Sequence, residues 1–405
     1  MSVLSDRRVL LAVSGGIAAY KAADLASKLV QAGVRLDVLL TSGAEQFLRP
    51  LTFEALTRRP VHTSLWEPWT AAAAGHVTLA AEIEALIVAP ATANVIARLA
   101  LGLSDDLLGA VNLSTVAPLI IAPAMEHHMF HHPATRAHLT TLRERGATIV
   151  GPESGRLASG AVGDGRLAPI ETIVGALRTV LGRPAPGDPA PPRIVVTAGG
   201  TQEPIDPVRS ITNRSSGRMG YAVARAALDR GARVTLITAP GEQTPPFGAT
   251  VVRVTTAAEM FSAVDEATFH ADVLVMAAAV ADFRPVTVAG AKIKKGSLPA
   301  KTSIALEPTI DILTAIDRPG LIKVGFAAET ERLVEYAVEK LRSKNLDLIV
   351  ANDAVETIGS DSSAATLIGR NSEPDVMPAM PKDALAEIIV EWVWALISSR
   401  RSAGQ

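Results

Sequence analysis

The stretch from Ile194 to Thr238 holds the densest group of residues suited to binding an anion. Small residues and arginines lie between two apolar runs, and they are Gly199, Gly200, Ser215, Ser216, Gly217, Arg209, Arg214 and Arg218. Backbone N–H groups at the start of a helix, flanked by arginines, bind phosphorylated ligands. A purely structural loop with solvated charges is the alternative reading of the same residues.

The elements around this loop predict a βαβ unit. Ile194 to Thr197 and Val234 to Thr238 are apolar runs typical of buried parallel strands. Met219, Val223 and Ala227 recur every four residues between them, which predicts a crossover helix. Roughly twenty residues separate the first strand from the helix, whereas an ordinary βα connection has about 2–6. Long loops at the carboxyl ends of parallel strands are where open α/β sheets bind ligands.

The first half of the chain begins in the same way. A strand at Val9 to Val13 leads into the turn Ser14-Gly15-Gly16-Ile17, a helix and a second strand at Leu36 to Leu40. Buried strands at Ala85 to Val88 and Leu119 to Ile121 run into further proline-containing loops. Three loops that converge at strand ends indicate a binding site more strongly than any one of them does.

Composition and patterning divide the 405 residues into two domains. The segment from Arg183 to Arg193 contains five prolines and predicts a semi-rigid linker between domain 1–182 and domain 194–405. In the second domain we expect the following further elements: strands at Val251 to Val254, Val273 to Met276, Lys323 to Phe326 and Leu348 to Val350, and a terminal helix from Lys382 to Ser399 with Leu385, Ile388, Ile389, Trp392 and Leu396 on one face. The fold class is therefore α/β, with two Rossmann-like open parallel-sheet domains.

The charge balance and the absence of cysteine exclude several classes of function. Hydrophobic residues make up 48%, charged residues 20%, and the net charge is −2, so neither a nucleic-acid surface nor an acidic tail is indicated. Without cysteine there are no disulfides and no thiolate metal sites. The N-terminus lacks a signal-peptide pattern, and no apolar run reaches about 18 residues. We expect a soluble cytoplasmic protein with no membrane partner.

Three groups of polar residues leave more than one reading open. His76 follows a tract of small residues and suits either a structural role or that of a general base. The lysines of the KIKK segment, Lys292, Lys294 and Lys295, suit a solvated surface or an anion site. The run from Glu126 to His132 contains four histidines, and pairs four residues apart on a helix can share a metal ion.

Longer motifs carry a resemblance to known families. SGGIAAYK, GHVTLA, PATAN and PAMEHHMF in the first half are similar to the flavin-containing cysteine decarboxylases. TAGGT, EPIDPVR, NRSSG, AAAVADFRP, KIKK and VGFAAET in the second half are similar to phosphopantothenate–cysteine ligase. In this order they resemble the bifunctional phosphopantothenoylcysteine decarboxylase / phosphopantothenate–cysteine ligase family of coenzyme A biosynthesis, over nearly the whole chain.

The resemblance implies two consecutive reactions. The ligase would use CTP and Mg²⁺, held mainly through the CTP phosphates, to convert 4′-phosphopantothenate into an acyl-cytidylate that cysteine then attacks. The decarboxylase would bind FMN and convert the product to 4′-phosphopantetheine. Homo-oligomers are also implied, as ligase dimers and decarboxylase trimers or dodecamers. A ligase with a weak or inactive flavin domain, and a flavin-binding regulatory protein, are the alternatives.

The resemblance also implies roles for individual residues. The expected FMN contacts are Ser14, Gly15, Gly16, Ile17, Thr41, Thr92, Asn94 and Met125. The expected CTP contacts are Asp282, Lys292, Thr309, Ile310, Asp311, Ile312, Phe326, Lys340 and Lys344. His76, Ser159, Asn213 and Lys292 are the expected catalytic residues. Asn213 would handle the acyl-cytidylate, and His76 would act on the substrate during its oxidation.

The first half departs from the family pattern at three places near the expected site, one of which is Val95, where the family has a polar residue. Glu126 stands where the family has an asparagine, so its charge repels a substrate carboxylate unless it is protonated or turned away. Ser159 stands where many members have the cysteine that donates the final proton. A thiol titrates near 8.5, and a serine hydroxyl is a much weaker acid, so water relayed through Ser159 or Asp164 is an equal candidate.

Overall fold

The computed structural model describes residues 3–66, 75–183, 189–294, 303–329, 332–353, 360–370 and 372–403. The chain divides into two compact units, residues 1–183 and 184–405, and each has its own sheet. Part of the proline-rich segment, residues 184–188, lies outside the described residues.

Unit 1 is built on a six-stranded sheet in which all neighbouring strands are parallel. Its strands are β1 (Arg8–Val13), β2 (Arg35–Leu40), β3 (Val61–His62), β4 (Ala85–Ala91), β5 (Leu119–Pro123) and β6 (Thr148–Ile149). The strand order is β3-β2-β1-β4-β5-β6, with the reversal between β1 and β4. A separate antiparallel hairpin consists of β7 (Glu153–Arg156) and β8 (Val162–Arg166).

Helices connect these strands and cover the sheet. They are α1 (Tyr20–Gln31), α2 (Pro50–Thr57), α3 (Gly75–Glu82), α4 (Ala93–Leu101), α5 (Leu107–Ser114), α6 (His127–His131), α7 (Pro133–Glu144) and α8 (Ile170–Leu181). Ala22, Leu25 and Leu29 are fully buried and form the inner face of α1. The predicted strands of this half are all present, and β4 is buried along its full length as expected for an inner parallel strand.

Unit 2 contains an eight-stranded mixed sheet. Its strands are β9 (Arg193–Ala198), β12 (Arg233–Thr238), β13 (Thr250–Arg253), β14 (Val273–Met276), β17 (Ile322–Glu329), β18 (Leu348–Asp353), β19 (Ser362–Gly369) and β20 (Asp375–Pro381), in the order β13-β12-β9-β14-β17-β18-β19-β20. The predicted strands are confirmed. However, β19 and β20 are antiparallel, so the purely parallel sheet that we predicted is wrong at this edge.

The loop after β9 is also more ordered than the sequence pattern indicated. It contains a short antiparallel hairpin of β10 (Gln202–Pro204) and β11 (Ser210–Thr212). A second hairpin follows β14, made of β15 (Phe283–Pro285) and β16 (Leu306–Pro308). Exposed alternating strands this short give too weak a periodicity to be read from the sequence.

The helices of unit 2 are α9 (Arg218–Asp229), α10 (Ala257–Ala267), α11 (Ile312–Ala315), α12 (Leu333–Ser343) and α13 (Lys382–Ala403). The predicted crossover helix α9 is confirmed, and it buries Val223 and Ala227. On α13, Leu385 and Ile389 are buried as predicted, but Ile388, Trp392 and Leu396 are only partly buried. The inner face is centred instead on Ala386, Val390, Val393 and Ile397, because the antiparallel edge strands widen the surface that α13 covers.

No helix in the described part of the chain has both the length and the apolar character needed to cross a membrane.

Candidate active sites

The first candidate site lies at the carboxyl end of the unit 1 sheet, where the loops after β1 and β2 touch. A Cβ atom added to Gly15 would lie 2.4 Å from the carbonyl carbon of Gly43, so the two backbones are in direct contact. Thr41 shapes the second loop, and its hydroxyl accepts a hydrogen bond from the Ala44 N–H at 3.3 Å. The short 3-10 helix after Gly16 (Ile17–Ala19) has no side-chain cap, which leaves its first N–H groups available to an anion.

The loop after β4 is tied to the loop after β1 by Ser14. The Ser14 hydroxyl is 1% exposed and donates to the Pro90 carbonyl at 2.7 Å. It also accepts a hydrogen bond from the Thr92 N–H at 3.1 Å. Ser14 therefore positions Thr92, and its expected contact with FMN stays a prediction.

Thr92 and Asn94 stand at the start of α4. The Thr92 hydroxyl caps the helix by accepting from the Val95 N–H at 3.4 Å. Asn94 is exposed on the first helical turn. Hydroxyl, amide and backbone N–H groups thus face solvent at the ends of β1 and β4, beside the crevice where the strand order reverses. This is the position at which open α/β sheets bind phosphorylated ligands.

The loop after β5 carries Met125 and Glu126, and the β7–β8 hairpin lies against it. The Met125 N–H donates to the Gly165 carbonyl at 3.0 Å. Glu126 caps α6 by accepting from the N–H groups of His128 and Met129 at 2.7 and 3.4 Å. Burial raises the pKa of Glu126, but the hydrogen bonds from His128 and Met129 outweigh it and lower the pKa below its ordinary value. Glu126 therefore stays ionised and is turned toward its own helix.

The two expected catalytic residues of unit 1 lie on different elements. His76 is half-buried in the first turn of α3, directly after residues outside the described part of the chain. Ser159 is exposed in the turn that joins β7 to β8. The structure gives no contact between the two among the described residues.

The histidine run does not act as one metal-binding unit. His128 pairs with Glu126 at 3.0 Å, and His132 caps α7 by accepting from the Ala134 N–H at 3.2 Å. His127 and His131 instead meet Asp164 of β8, with all three ligand atoms within 4.8 Å of one another. The predicted helical pairing is therefore right for His127 and His131 only, and the carboxylate that joins them comes from the hairpin.

The second candidate site is a cavity of about 730 Å³ at the carboxyl end of the unit 2 sheet. It gathers Asn213 and the expected nucleotide residues except Lys292, namely Asp282, Thr309, Ile310, Asp311, Ile312, Phe326, Lys340 and Lys344. The long loop contributes residues 212–219, including the N-terminus of α9, which begins at Gly217 without a side-chain cap.

Contacts inside the cavity fix several of these side chains. The Asn213 amide donates to the Val280 carbonyl at 3.0 Å, which joins the long loop to the loop after β14. The Lys340 ammonium donates to the Phe326 carbonyl at 2.9 Å, and Lys344 forms an ion pair with Asp311 at 2.9 Å. Burial raises the pKa of Asp311, yet the hydrogen bonds from Lys344 and Thr314 lower it overall. Helix α12 starts at Leu333, and Lys344 is its C-cap residue.

Lys292 is exposed and lies outside the cavity wall, but its neighbour Ile293 is firmly held. The Ile293 N–H donates to the Asp206 carboxylate at 3.2 Å, and the Arg209 guanidinium donates to the Ile293 carbonyl at 2.9 Å. Asp206 is 2% exposed and also accepts from Arg209. Lys295 lies outside the described residues.

One cationic residue of the cavity was not predicted as a contact of a ligand. Lys382, at the start of α13, is 8% exposed and donates to the Ser360 carbonyl at 2.7 Å. Burial lowers its pKa, and the nearby Arg218 lowers it further. In the sequence, Lys382 stands at the start of an amphipathic helix, and this pattern does not indicate a cavity. The start of α13 reaches the site only in the folded chain, where β19 brings it there.

Comparisons with known proteins match this division of the chain. The family model described as flavoprotein matches residues 2–182, and the one described as DNA/pantothenate metabolism flavoprotein C-terminal domain matches residues 190–396. The coenzyme A biosynthesis bifunctional protein CoaBC of Bacillus subtilis is 43% identical over 96% of this chain and 97% of its own length. That of Vibrio cholerae is 42% identical over 97% of this chain and 99% of its own length.

A solved C-terminal domain of a coenzyme A biosynthesis bifunctional protein CoaBC is 38% identical, covers 51% of this chain and 96% of its own, and has a TM-score of 0.45. The relatives match along nearly the full length of both chains, and each half matches its own family model. The chain therefore belongs to the CoaBC family of bifunctional coenzyme A biosynthesis enzymes, which combine a phosphopantothenoylcysteine decarboxylase half with a phosphopantothenate–cysteine ligase half.

Proposed function

We propose that unit 2 joins 4′-phosphopantothenate to cysteine with CTP, and that unit 1 decarboxylates the product to 4′-phosphopantetheine with FMN. The single observation that carries the ligase assignment is the cavity of about 730 Å³, which brings Asn213 together with eight predicted nucleotide residues from four separate segments. A generic anion site does not need this combination of an amide, two lysines and an aromatic ring.

The ligase reaction needs an activated acyl group, because a carboxylate is a poor acyl donor. The 4′-phosphopantothenate carboxylate attacks the α-phosphorus of CTP, pyrophosphate leaves, and an acyl-cytidylate forms. The cysteine amine then attacks the acyl carbon and displaces CMP, and it loses a proton to give the amide. Charge develops on phosphate oxygens in the first step, so it is stabilised by cations. Lys340 and Lys292 are proposed to supply these charges, and Mg²⁺ would add positive charge beside the phosphates when bound.

Asn213 is proposed to orient the acyl-cytidylate. Its amide group is fixed between the long loop and the loop after β14 by the bond to the Val280 carbonyl. Asp282 and Phe326, with the segment from Thr309 to Ile312, would shape the nucleotide pocket. The Asp311–Lys344 pair places one carboxylate and one ammonium side by side, which suits hydrogen bonding to both donors and acceptors of a cytosine ring.

The residues of unit 1 fit an FMN phosphate and ring. The contact between Gly15 and Gly43 leaves room for a ligand only along the backbone, and the following 3-10 helix offers uncapped N–H groups. The other expected contacts lie in the loops at the ends of β1, β2, β4 and β5, and they are Gly16, Ile17, Thr41, Thr92, Asn94 and Met125. When bound, FMN would supply reversible two-electron oxidation of the carbon bearing sulfur. His76 is proposed to move a proton of the substrate during that oxidation.

The remaining proposals concern the whole protein. We propose that it acts in the cytoplasm as a homo-oligomer, as the family resemblance implies. A second candidate function is a working ligase with a weak flavin half. It is favoured by Ser159, whose exposed hydroxyl stands where a thiol would be the stronger acid.

One reaction mixture tests both halves. The purified protein is combined with 4′-phosphopantothenate, cysteine, CTP and Mg²⁺, and CMP, pyrophosphate and CO₂ are followed. We expect all three products, and ATP should replace CTP poorly. Pyrophosphate without CO₂ would support the second candidate and contradict the bifunctional assignment. Mg²⁺ removal by chelation should stop CMP release and spare CO₂ release from supplied 4′-phosphopantothenoylcysteine.

Single substitutions test the roles proposed for His76, Lys344 and Asn213. His76→Asn should stop CO₂ release and leave CMP formation unchanged. Lys344→Ala should raise the KM for CTP about tenfold, because a contact with the nucleotide is lost. Asn213→Asp should slow CMP release. With 4′-phosphopantothenoylcysteine supplied, neither unit 2 variant should affect CO₂ release. A loss of both activities in one variant would mean that the roles are wrongly assigned.

A further inference from the structure

A cluster of His127, His131 and Asp164 joins the β7–β8 hairpin to helix α6, and neither proposed reaction uses it. The backbone N–H of Asp164 donates to His127 Nδ1 at 3.1 Å. The Asp164 carboxylate lies 3.0 Å from His131 Nε2. The two imidazole rings are tilted by 56° to one another, with their centroids 4.4 Å apart.

The hairpin is closely fitted to this surface on both sides of Asp164. A Cβ atom added to Gly163 would lie 2.5 Å from His127 Nδ1, and one added to Gly165 would lie 2.1 Å from the Met125 carbonyl oxygen. The Met125 N–H also donates to the Gly165 carbonyl at 3.0 Å. Two glycines therefore allow β8 to lie directly on the loop after β5 and on α6.

The hydrogen bonds favour a latch over a metal site. Because His127 Nδ1 accepts a hydrogen bond from an amide, the neutral ring carries its proton on Nε2. A metal ion bound at Nε2 would force the proton onto Nδ1, opposite the Asp164 N–H, and would break that bond. In the hydrogen-bonded arrangement, by contrast, His131 donates from Nε2 to the carboxylate, and each group keeps a complementary partner.

We propose that Asp164 is a positioning residue that holds the β7–β8 hairpin on α6 through His127 and His131. The hairpin carries Ser159 in its turn, and its base covers Met125. Fixing the hairpin holds its base on the loop after β5, so the latch sets how tightly the hairpin closes on the substrate of the decarboxylase. This kinetic consequence rests on the proposed function of unit 1, whereas the latch itself does not.

Hydrogen exchange on the full chain loaded with FMN tests the latch directly. Asp164→Ala and His131→Ala should each speed amide exchange in residues 153–166 by about fivefold to tenfold, because one charge-assisted hydrogen bond is lost. Asp164→Asn should restore most of the protection, since its side-chain oxygen still accepts from His131. His138→Ala, a half-buried histidine on α7, is the matched control and should change nothing.

Kinetics with 4′-phosphopantothenoylcysteine provide the second readout. Asp164→Ala should raise the KM about fivefold with a smaller effect on kcat. Asp164→Asn should have a KM close to that of the unmodified protein. CMP formation by unit 2 should stay constant and serves as the check on folding. If the unmodified protein releases no CO₂, the proposed decarboxylase function fails while the exchange result still decides the latch.

Two results would overturn the proposal. Unchanged exchange in both Asp164→Ala and His131→Ala would show that the hairpin is held by other contacts. One equivalent of zinc retained after dialysis of the protein against zinc, and lost in His127→Ala, would show a metal site in place of the hydrogen-bonded latch.

Discussion

At the scale of single residues, buried polar side chains decide which groups remain for a ligand. Ser14 and Asp206 are both almost fully buried and both satisfy backbone groups of neighbouring loops. Each sets the geometry of a loop that carries expected ligand contacts. We expect that replacing Ser14 or Asp206 shifts the loop that the residue holds. Such a shift should alter rate constants more than it alters the binding of distant groups.

Asp206 gives the clearest residue-scale prediction. Hydrogen bonds from Arg209, and from the N–H groups of Val208 and Ile293, hold the pKa of Asp206 far below its ordinary value. A depressed pKa in the folded state stabilises the fold above the unfolded pKa of about 3.9. That stabilisation is lost as the pH falls, since the unfolded chain then binds the proton more readily.

Asp206→Asn should therefore destabilise unit 2 at pH 7, and the difference in unfolding free energy from the native protein should shrink below about pH 4. Urea denaturation followed between about pH 3 and pH 7 measures this. The ligase rate should also fall about tenfold, because Ile293 no longer fixes Lys292. Glu242→Gln, an exposed carboxylate, is the control. A stability difference that stays constant with pH would contradict the assigned charge state.

At the scale of elements, close backbone contacts between loops define the flavin site. Gly15 and Gly16 are adjacent in the sequence and look equivalent there. In the fold they differ, because only Gly15 meets the backbone of Gly43. Gly16 has an extended backbone with a φ of −174°, which any residue adopts.

Gly15→Ala should weaken FMN retention by about tenfold or more, since its Cβ has to displace the loop after β2. Gly16→Ala is the matched control and should change FMN retention less than about twofold, because its Cβ would lie 3.7 Å from the Thr92 side chain, an ordinary contact. Flavin fluorescence during titration of the flavin-free protein measures both. Equal losses of FMN retention in the two variants would mean that the FMN site lies elsewhere.

At the scale of the whole molecule, the two units have separate cores. Among the described residues, a cluster of buried side chains covers one face of β1 and β4 in unit 1, and two other clusters cover the opposite faces of the unit 2 sheet. Each candidate site is built from elements of one unit only. Damage to one site is therefore not expected to spread through a shared core.

Gly15→Ala should leave the rate of CMP formation unchanged, and Lys344→Ala should leave FMN retention unchanged. A protein with both substitutions should show the two single losses together without any further effect. CMP release and flavin content, measured on the same samples, check this. A flavin-dependent ligase rate would reveal coupling between the units.

The sequence by itself determined the inner parallel strands, the two βαβ units and the family. These depend on local patterns: apolar runs, helical spacing, and glycines between strand and helix. The positions of Thr92 and Asn94 at the end of one strand were predictable for the same reason, and their contacts with FMN stay a prediction. The antiparallel edge of β19 and β20 was not, because weakly alternating strands are specified by their neighbours and not by their own periodicity.

Only the tertiary structure decided which polar residues support the sites and which face them. Asp206 meets Ile293 across 87 residues, Asp164 meets His131 across 33, and Ser14 meets Thr92 across 78. Such pairs are formed by strand order and loop packing, which bring distant backbone groups within about 3 Å. A sequence pattern records residue types at short separations. It therefore indicated the candidate binding residues of the long loop, but not that the buried carboxylate of Asp206 holds the loop in place.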